Sequence, residues 1–208
     1  HTMLVNALRA HLAEFGIIMK QGKAGAAAVA SLVQDASNST LSSSVREALL
    51  PLVEQLRQTE ERIARLEQCI VDWHKSNPTS QRLASIPGIG PITASAIVAT
   101  ITDARLFSSG RHLAAWLGLV PRQNSSGGKE RLGGITKKGD GYIRKLLVIG
   151  ANAVLRFARK GSASSTMWAS NLLTRKPHKV VAVALANKMA RISWALLARN
   201  EAFRAKGA

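Results

Sequence analysis

Acidic residues are scarce in this chain. Its 208 residues hold 12 Asp and Glu against 29 Lys and Arg, a formal charge of +17 with a pI near 11.3. A surplus of that size argues against an ordinary enzyme of small metabolites. It favours a polyanionic partner, because Lys and Arg that meet a phosphate backbone release its condensed counterions whatever the nucleotide sequence. Cysteine occurs once, at Cys69, which excludes an internal disulfide framework and a cysteine-rich zinc site. His1, His11, His74, His112 and His178 are scattered, with no His-x3-His pair to hold a metal on a helix. No apolar run approaches the roughly 18 to 20 residues that span a bilayer, and no secretory signal precedes the first periodic segment. The expectation is a soluble, cytoplasmic, metal-free chain with no membrane partner.

Aromatic residues make up 4% of the chain, while Ala and Leu abound, a balance that favours helix over sheet. With 46% hydrophobic residues, the chain can bury a real core. Leu4, Leu8, Leu12 and Phe15 recur at helical spacing and predict a short amphipathic helix over 3–18. Gly16, Gly22 and Gly25 break it, and the Ser/Thr-rich stretch 37–44 reads as a spacer. From Val45 the apolar or small positions run Leu49, Leu52, Leu56, Thr59, Ile63, Leu66, Ile70 and Trp73, alternating steps of four and three. Two readings fit this seam: a helix folded back on 3–18, or a coiled coil over about 45–75 that dimerises or takes a partner. Pro51 is compatible with regular helix only if that helix begins around Leu50. Asn77 and Pro78 end the segment, dividing the chain into a helical region, 1–78, and a second domain, 79–208.

The second domain opens on Leu83-Ala-Ser-Ile-Pro-Gly-Ile-Gly-Pro-Ile-Thr-Ala-Ser-Ala-Ile97, which has the layout of a helix-hairpin-helix. Gly88, Ile89 and Gly90 would present amides at a helix start, where a backbone phosphate binds without its sequence being read. A purely structural turn packing two helices is the competing reading. A short helix over 110–116 leads into the most informative stretch, 118–141. There Ser125 and Ser126 share a glycine-rich loop with Arg122, Lys129, Arg131, Lys137 and Lys138, against only Glu130 and Asp140. Such a loop suits a polyanion, since glycines let backbone amides approach phosphate oxygens; a solvated basic loop with ordinary turn serines is the plain alternative. Asp140 can cap a following helix whose apolar face is Ile143, Leu146, Leu147, Ile149 or Gly150, Val154 and Phe157. Arg144, Lys145, Arg156, Arg159 and Lys160 lie on its outer side. The last helix, 180–199, is apolar around much of its circumference and reads as a core element, with Asn187, Lys188 and Arg191 interrupting it.

Several of these strings carry a family resemblance. Ile86-Pro-Gly-Ile-Gly-Pro91, Phe107 with Arg111, Ala114-Ala-Trp-Leu-Gly-Leu-Val-Pro121, Ser125-Ser-Gly-Gly-Lys129, Gly134-Ile-Thr-Lys-Lys-Gly139, Arg144 and Gly150-Ala151 together resemble the C-terminal transposase domain of the IS110/IS1111 insertion-sequence recombinases. The match covers about residues 80–198, and Met3-Leu-Val-Asn-Ala-Leu-Arg9 with Glu14-Phe-Gly16 resembles the start of the family's central helical region.

The resemblance implies site-specific DNA recombination guided by a structured RNA. It also implies two active-site parts. One is an N-terminal RuvC-like domain whose acidic residues bind a divalent metal, expected to be Mg; the other is a serine that attacks a DNA phosphate and becomes covalently linked. Ser126, which precedes the Gly of the Ser-Gly step, is the matching nucleophile, with Ser125 as the alternative. Arg122, Lys129 and Arg131 are the candidate stabilisers of the charged transition state. The 12 acids of this chain sit mostly singly and do not compose the RuvC-like cluster. A fragment or a truncated gene product with little cleavage of its own is therefore expected. The expected fold is all-α, and the expected partners are DNA, a guide RNA and a second copy bound through the coiled coil, in the bacterial cytoplasm with the nucleoid. A non-catalytic nucleic-acid-binding module and an oligomerisation fragment are the alternatives. Tyr142, the single tyrosine, is a rival nucleophile.

Overall fold

Leu8 and Leu12 lie one turn apart on the first helix, α1 (Thr2–Glu14), and both are fully buried. In a computed structural model of the chain, which describes residues 1–20, 22–37, 39–129, 131–158 and 167–203, they meet Val29 and Val33 of α2 (Lys23–Gln34). Leu49, Val53 and Leu56 of α3 (Ser43–Ser76) complete the cluster. The fold is mainly helical, as the composition implies.

The glycines at 22 and 25 do not keep the segment after α1 irregular. Ala26, Val29 and Val33 recur on one helical face and are buried, and that burial outweighs the cost of Gly25 inside α2. Gly25 is in fact needed, since a β-carbon there would come within 1.8 Å of the Lys20 carbonyl oxygen. The condition that Pro51 places on regular helix, a start around Leu50, does not hold. The helix runs from Ser43 with Pro51 inside it, so the bond that residue 51 would donate to the carbonyl four residues back is absent while the helix continues.

Two compact units result, residues 1–68 and 69–208. The sequence boundary at 78/79 thus differs from the contact boundary, which falls inside α3. In the first unit the seam read as one stripe divides. Leu49 and Leu56, together with Val53, enter the core shared with α1 and α2, whereas Ile63 and Leu66 are exposed at 41% and 65%. Arg46 is buried, and its guanidinium donates to the carbonyls of Leu32 (3.1 Å), Val33 (3.1 Å), Asp35 and Leu41 (3.3 Å). A cation among the last carbonyls of α2 satisfies acceptors that the helix end leaves open and complements its dipole.

In the second unit, Asn77 accepts a bond from the Ser80 amide (2.9 Å) and Pro78 takes the first helical position of α4 (Pro78–Ala84). A turn leads to α5 (Pro91–Thr100), whose Ala94 and Ile97 are buried, as the periodicity requires. A 3₁₀ turn (Ala104–Leu106) and α6 (Gly110–Trp116) follow. Two short antiparallel strands, β1 (Pro121–Gln123) and β2 (Leu132–Ile135), precede α7 (Gly141–Ala158), α8 (Met167–Leu173) and α9 (His178–Arg199). The core joins α4 to α7 with α9.

Asp140 does cap α7, accepting from the Ile143 amide at 2.8 Å. The apolar face of α7 is narrower than its sequence suggests. Ile143, Leu147, Ala151 and Leu155 are buried, while Ile149 and Phe157 are 55% and 66% exposed. Arg159, Lys160 and the break over 160–165 lie outside the described residues. The expectation about apolar runs also changes, because α9 is long and apolar enough to cross a membrane by length and composition. Its face of Val181, Ala182, Ala186, Met189, Ala190, Ser193 and Leu196 is instead buried in the protein.

Candidate nucleic-acid interface and serine hairpin

The stretch expected as a glycine-rich loop is a β-hairpin with a tight tip. Gly127 and Gly128 have φ of 57° and 75°, the pair of left-handed conformations that a type I′ turn requires. The Lys129 amide closes the turn on the Ser126 carbonyl at 3.1 Å. Ser126 and Lys129 form a bridge, and the Asn124 amide pairs with the Arg131 carbonyl at 2.8 Å. A register shift between Pro121 and Gln123 bends β1 below the tip.

The two serines occupy different environments. Ser125 Oγ is half-buried and accepts both the Arg131 amide (2.9 Å) and the Gln123 side-chain amide (2.9 Å), so it ties the two hairpin arms together. Ser126 is exposed at the first corner of the turn. Arg122, Lys129, Arg131, Lys137 and Lys138 are all exposed along the hairpin and its base. With Glu130 outside the described residues, the acid at the base is Asp140, already engaged as a helix cap.

That base is rigid for identifiable reasons. Gly118 (φ +69°) and Gly139 (φ +76°) cross so closely that β-carbons would lie 2.2 Å from the Lys138 carbonyl oxygen and 1.8 Å from that of Trp116. Arg144 donates from Nη1 to the carbonyls of Leu117 (2.9 Å) and Lys138 (3.1 Å), clamping both sides of the crossing. Asn187 of α9 donates to the Leu119 carbonyl at 3.1 Å. Thr136 donates its amide to Val120 (2.9 Å), while its hydroxyl is enclosed without a hydrogen-bond partner among the described residues. Arg144 is therefore half-buried and holds protein carbonyls, whereas its neighbour Lys145 is exposed. Sequence reasoning grouped the two as outward cations. Asn187, a polar interruption of an apolar helix, has no local signal that ties it to a segment 68 residues away.

Gly88, Ile89 and Gly90 form the turn between α4 and α5. Ile89 is buried, and its amide donates to the Ile86 carbonyl at 2.9 Å. Gly88 (φ +90°) faces α7, where Gly150 leaves room for its carbonyl. Gly90 is exposed at the start of α5 and has no side-chain cap. Helix α7 thus carries both features, with Arg144 at the hairpin base and Gly150 at the turn, about 9 Å apart along its axis. Tyr142, 57% exposed, lies instead beside an apolar groove of about 350 Å³ lined by Ile70, Trp73, Ile92 and Ala96. Lys188 stacks over Trp168 at 4.7 Å.

Among the described residues no three His, Cys, Asp or Glu side chains gather to hold a metal.

Comparison with known proteins places these features in context. Residues 80–165 match the Transposase IS116/IS110/IS902 family. A "Probable family 20 transposase" of Pseudomonas aeruginosa is 47% identical over 204 residues, covering 98% of this chain and 60% of that protein. The "Transposase for insertion sequence element IS1111A" of Coxiella burnetii is 37% identical over 98% of this chain and 56% of its own length. The "Pilin gene-inverting protein" of Moraxella bovis is 28% identical over 72% of this chain and 45% of its own. The chain spans about half to three fifths of the length of such relatives.

Proposed function

Because the chain belongs to the Transposase IS116/IS110/IS902 family, we propose that it is the serine-bearing part of a DNA recombinase, with Ser126 as nucleophile. The observation that carries this reading is the hairpin itself. An exposed serine stands at the corner of a type I′ turn, on a base locked by Arg144, Gly118 and Gly139, with cations along its length. Ser126 Oγ would bond to a DNA phosphorus as the bond from phosphorus to a deoxyribose oxygen breaks. The serine proton passes to solvent, and the released oxygen takes one up. The covalent ester conserves the bond for rejoining, so no nucleotide cofactor is required. Arg122, Lys129 and Arg131 neutralise the phosphate oxygens, and Lys137, Lys138 and Lys145 extend the cationic surface. Ser125, already accepting two hydrogen bonds, holds the hairpin closed.

The turn at Gly88, Ile89 and Gly90 is the second contact, where the open start of α5 meets a backbone phosphate in the manner of a helix-hairpin-helix. A structured guide RNA binds the same cationic surface, and a divalent metal such as Mg belongs to an RuvC-like domain, not to these residues. The protein acts in the cytoplasm, at the nucleoid. Exposed Ile63 and Leu66 favour a further role, pairing with a second copy through the outer part of the coiled-coil seam.

The reading is tested by binding to labelled duplex DNA across a salt series, followed by a search for a covalent DNA adduct under denaturing conditions with an RuvC-like domain of the family rejoined to the chain. Wild type should bind with steep salt dependence. Ser126→Ala should bind equally well and form no adduct, and Ser125→Ala should retain some. Absence of binding at low salt, or an adduct that survives Ser126→Ala, would overturn it.

A further inference from the structure

We propose that Phe107, His112 and Trp116 form a stacking platform for an unpaired base of single-stranded nucleic acid. The proposal rests on the nucleic-acid reading above and adds a class of contact that the cations and the serine do not supply. His112 and Trp116 are four residues apart on α6 and so share one face. Phe107 meets both edge-on, with centroids 5.5 Å away in each case and interplanar angles of 75° and 62°. Phe107 is half-buried and braced against the core, so the cluster has a fixed foundation. His112 is exposed, and Trp116 is 38% exposed. Leu113 and Ala114 supply the buried face of α6, and the buried Leu117 follows at its end.

The charge around the platform selects the occupant. Gly139 rests on the Trp116 carbonyl, which brings the exposed Lys137 and Lys138 to the end of α6 that carries the indole. Arg111 is exposed beside His112. The carboxylates nearby in the chain are already taken, Asp103 by Arg105 (3.0 Å) and Asp140 by the Ile143 amide. An exposed aromatic cluster with cations beside it matches a nucleotide, whose base offers a π-face and whose phosphate offers a charge. In duplex DNA the base faces are already covered by their neighbours. The platform therefore fits a strand that is single or locally opened, and it lies at the foot of the serine hairpin.

The test compares wild type, Trp116→Leu and Trp116→Phe for binding to one single-stranded oligodeoxynucleotide, the same strand with abasic positions, and the duplex of equal length. Stacking predicts that Trp116→Leu weakens binding of the intact strand by about tenfold, that Trp116→Phe recovers most of it, and that duplex binding changes by less than about twofold. Wild type should also prefer the intact strand to the abasic one, a comparison that needs no variant and stands even if Trp116→Leu fails to fold. Equal wild-type affinity for intact and abasic strands overturns the platform and leaves the cationic reading intact. Failure to bind any of the three probes overturns both.

Discussion

The carbonyl oxygen of Gly88 stands 1.9 Å from the place a β-carbon on Gly150 would take. The turn between α4 and α5 is thereby seated on α7, and the close approach exists only because residue 150 has no side chain. Gly150→Ala should lower the stability of the second unit by about 1–3 kcal/mol, since the obstacle is backbone and cannot swing aside. Gly90→Ala is the control, with nothing within 4 Å of its β-carbon. Chemical denaturation should show a lower midpoint for the first and near wild-type behaviour for the second.

Arg144 ties Leu117 to Lys138, so its loss should be felt at the hairpin base before anywhere else. Arg144→Met keeps the aliphatic stem and removes the donors, at a cost of about 1–3 kcal/mol. Amide hydrogen exchange should accelerate at Thr136 and Lys137, whose bonds to Val120 and Gly118 close the crossing. Unchanged exchange there would show that the two glycines hold the crossing alone.

Arg46 is the corresponding test in the first unit. Arg46→Met leaves the carbonyls of Leu32, Val33 and Leu41 without that partner and should destabilise the unit by roughly 2–4 kcal/mol, because these bonds are charge-assisted and largely buried. Circular dichroism during thermal melting should record loss of helix at lower temperature.

Glu54 carries a pH dependence of known sign. Hydrogen bonds from Arg57 (2.8 and 2.9 Å), then from Gln58, hold its carboxyl down to about 2 from its ordinary 4.5. A folded value below the unfolded one means that the contribution is complete above about 4.5 and disappears as pH falls through about 2. The pair lies at the surface in contact with solvent, so the effect should be small and weakened by salt. Urea midpoints between these pH values should fall more steeply for wild type than for Glu54→Gln.

Features set by a few neighbouring residues were legible in advance. Asn77 and Pro78 announce the end of α3, and Asp140 announces the start of α7, because helix ends and caps involve residues only a few apart. The serine hairpin was legible as a basic glycine-rich stretch but not as a hairpin. Its strands are short and half polar, and the decisive element is the positive φ at Gly127 and Gly128. The helix α2 was hidden behind two glycines whose local cost its buried face outweighs. The seam of α3 was visible as a period, yet a period does not name its partner, and Leu49 and Leu56 found theirs within the chain while Ile63 and Leu66 did not.

By itself the sequence determined the helical class, the cationic surface and the two adjacent serines, since composition, periodicity and net charge are properties of residues alone. Tertiary structure decided which serine is engaged and which is exposed. It also turned Arg144 from an apparent surface cation into a clamp on backbone carbonyls, and placed Gly88 against Gly150. Each of these depends on groups distant in sequence meeting at hydrogen-bond or van der Waals range. Such meetings arise only once the packing of α6, α7 and α9 has settled where the backbone runs.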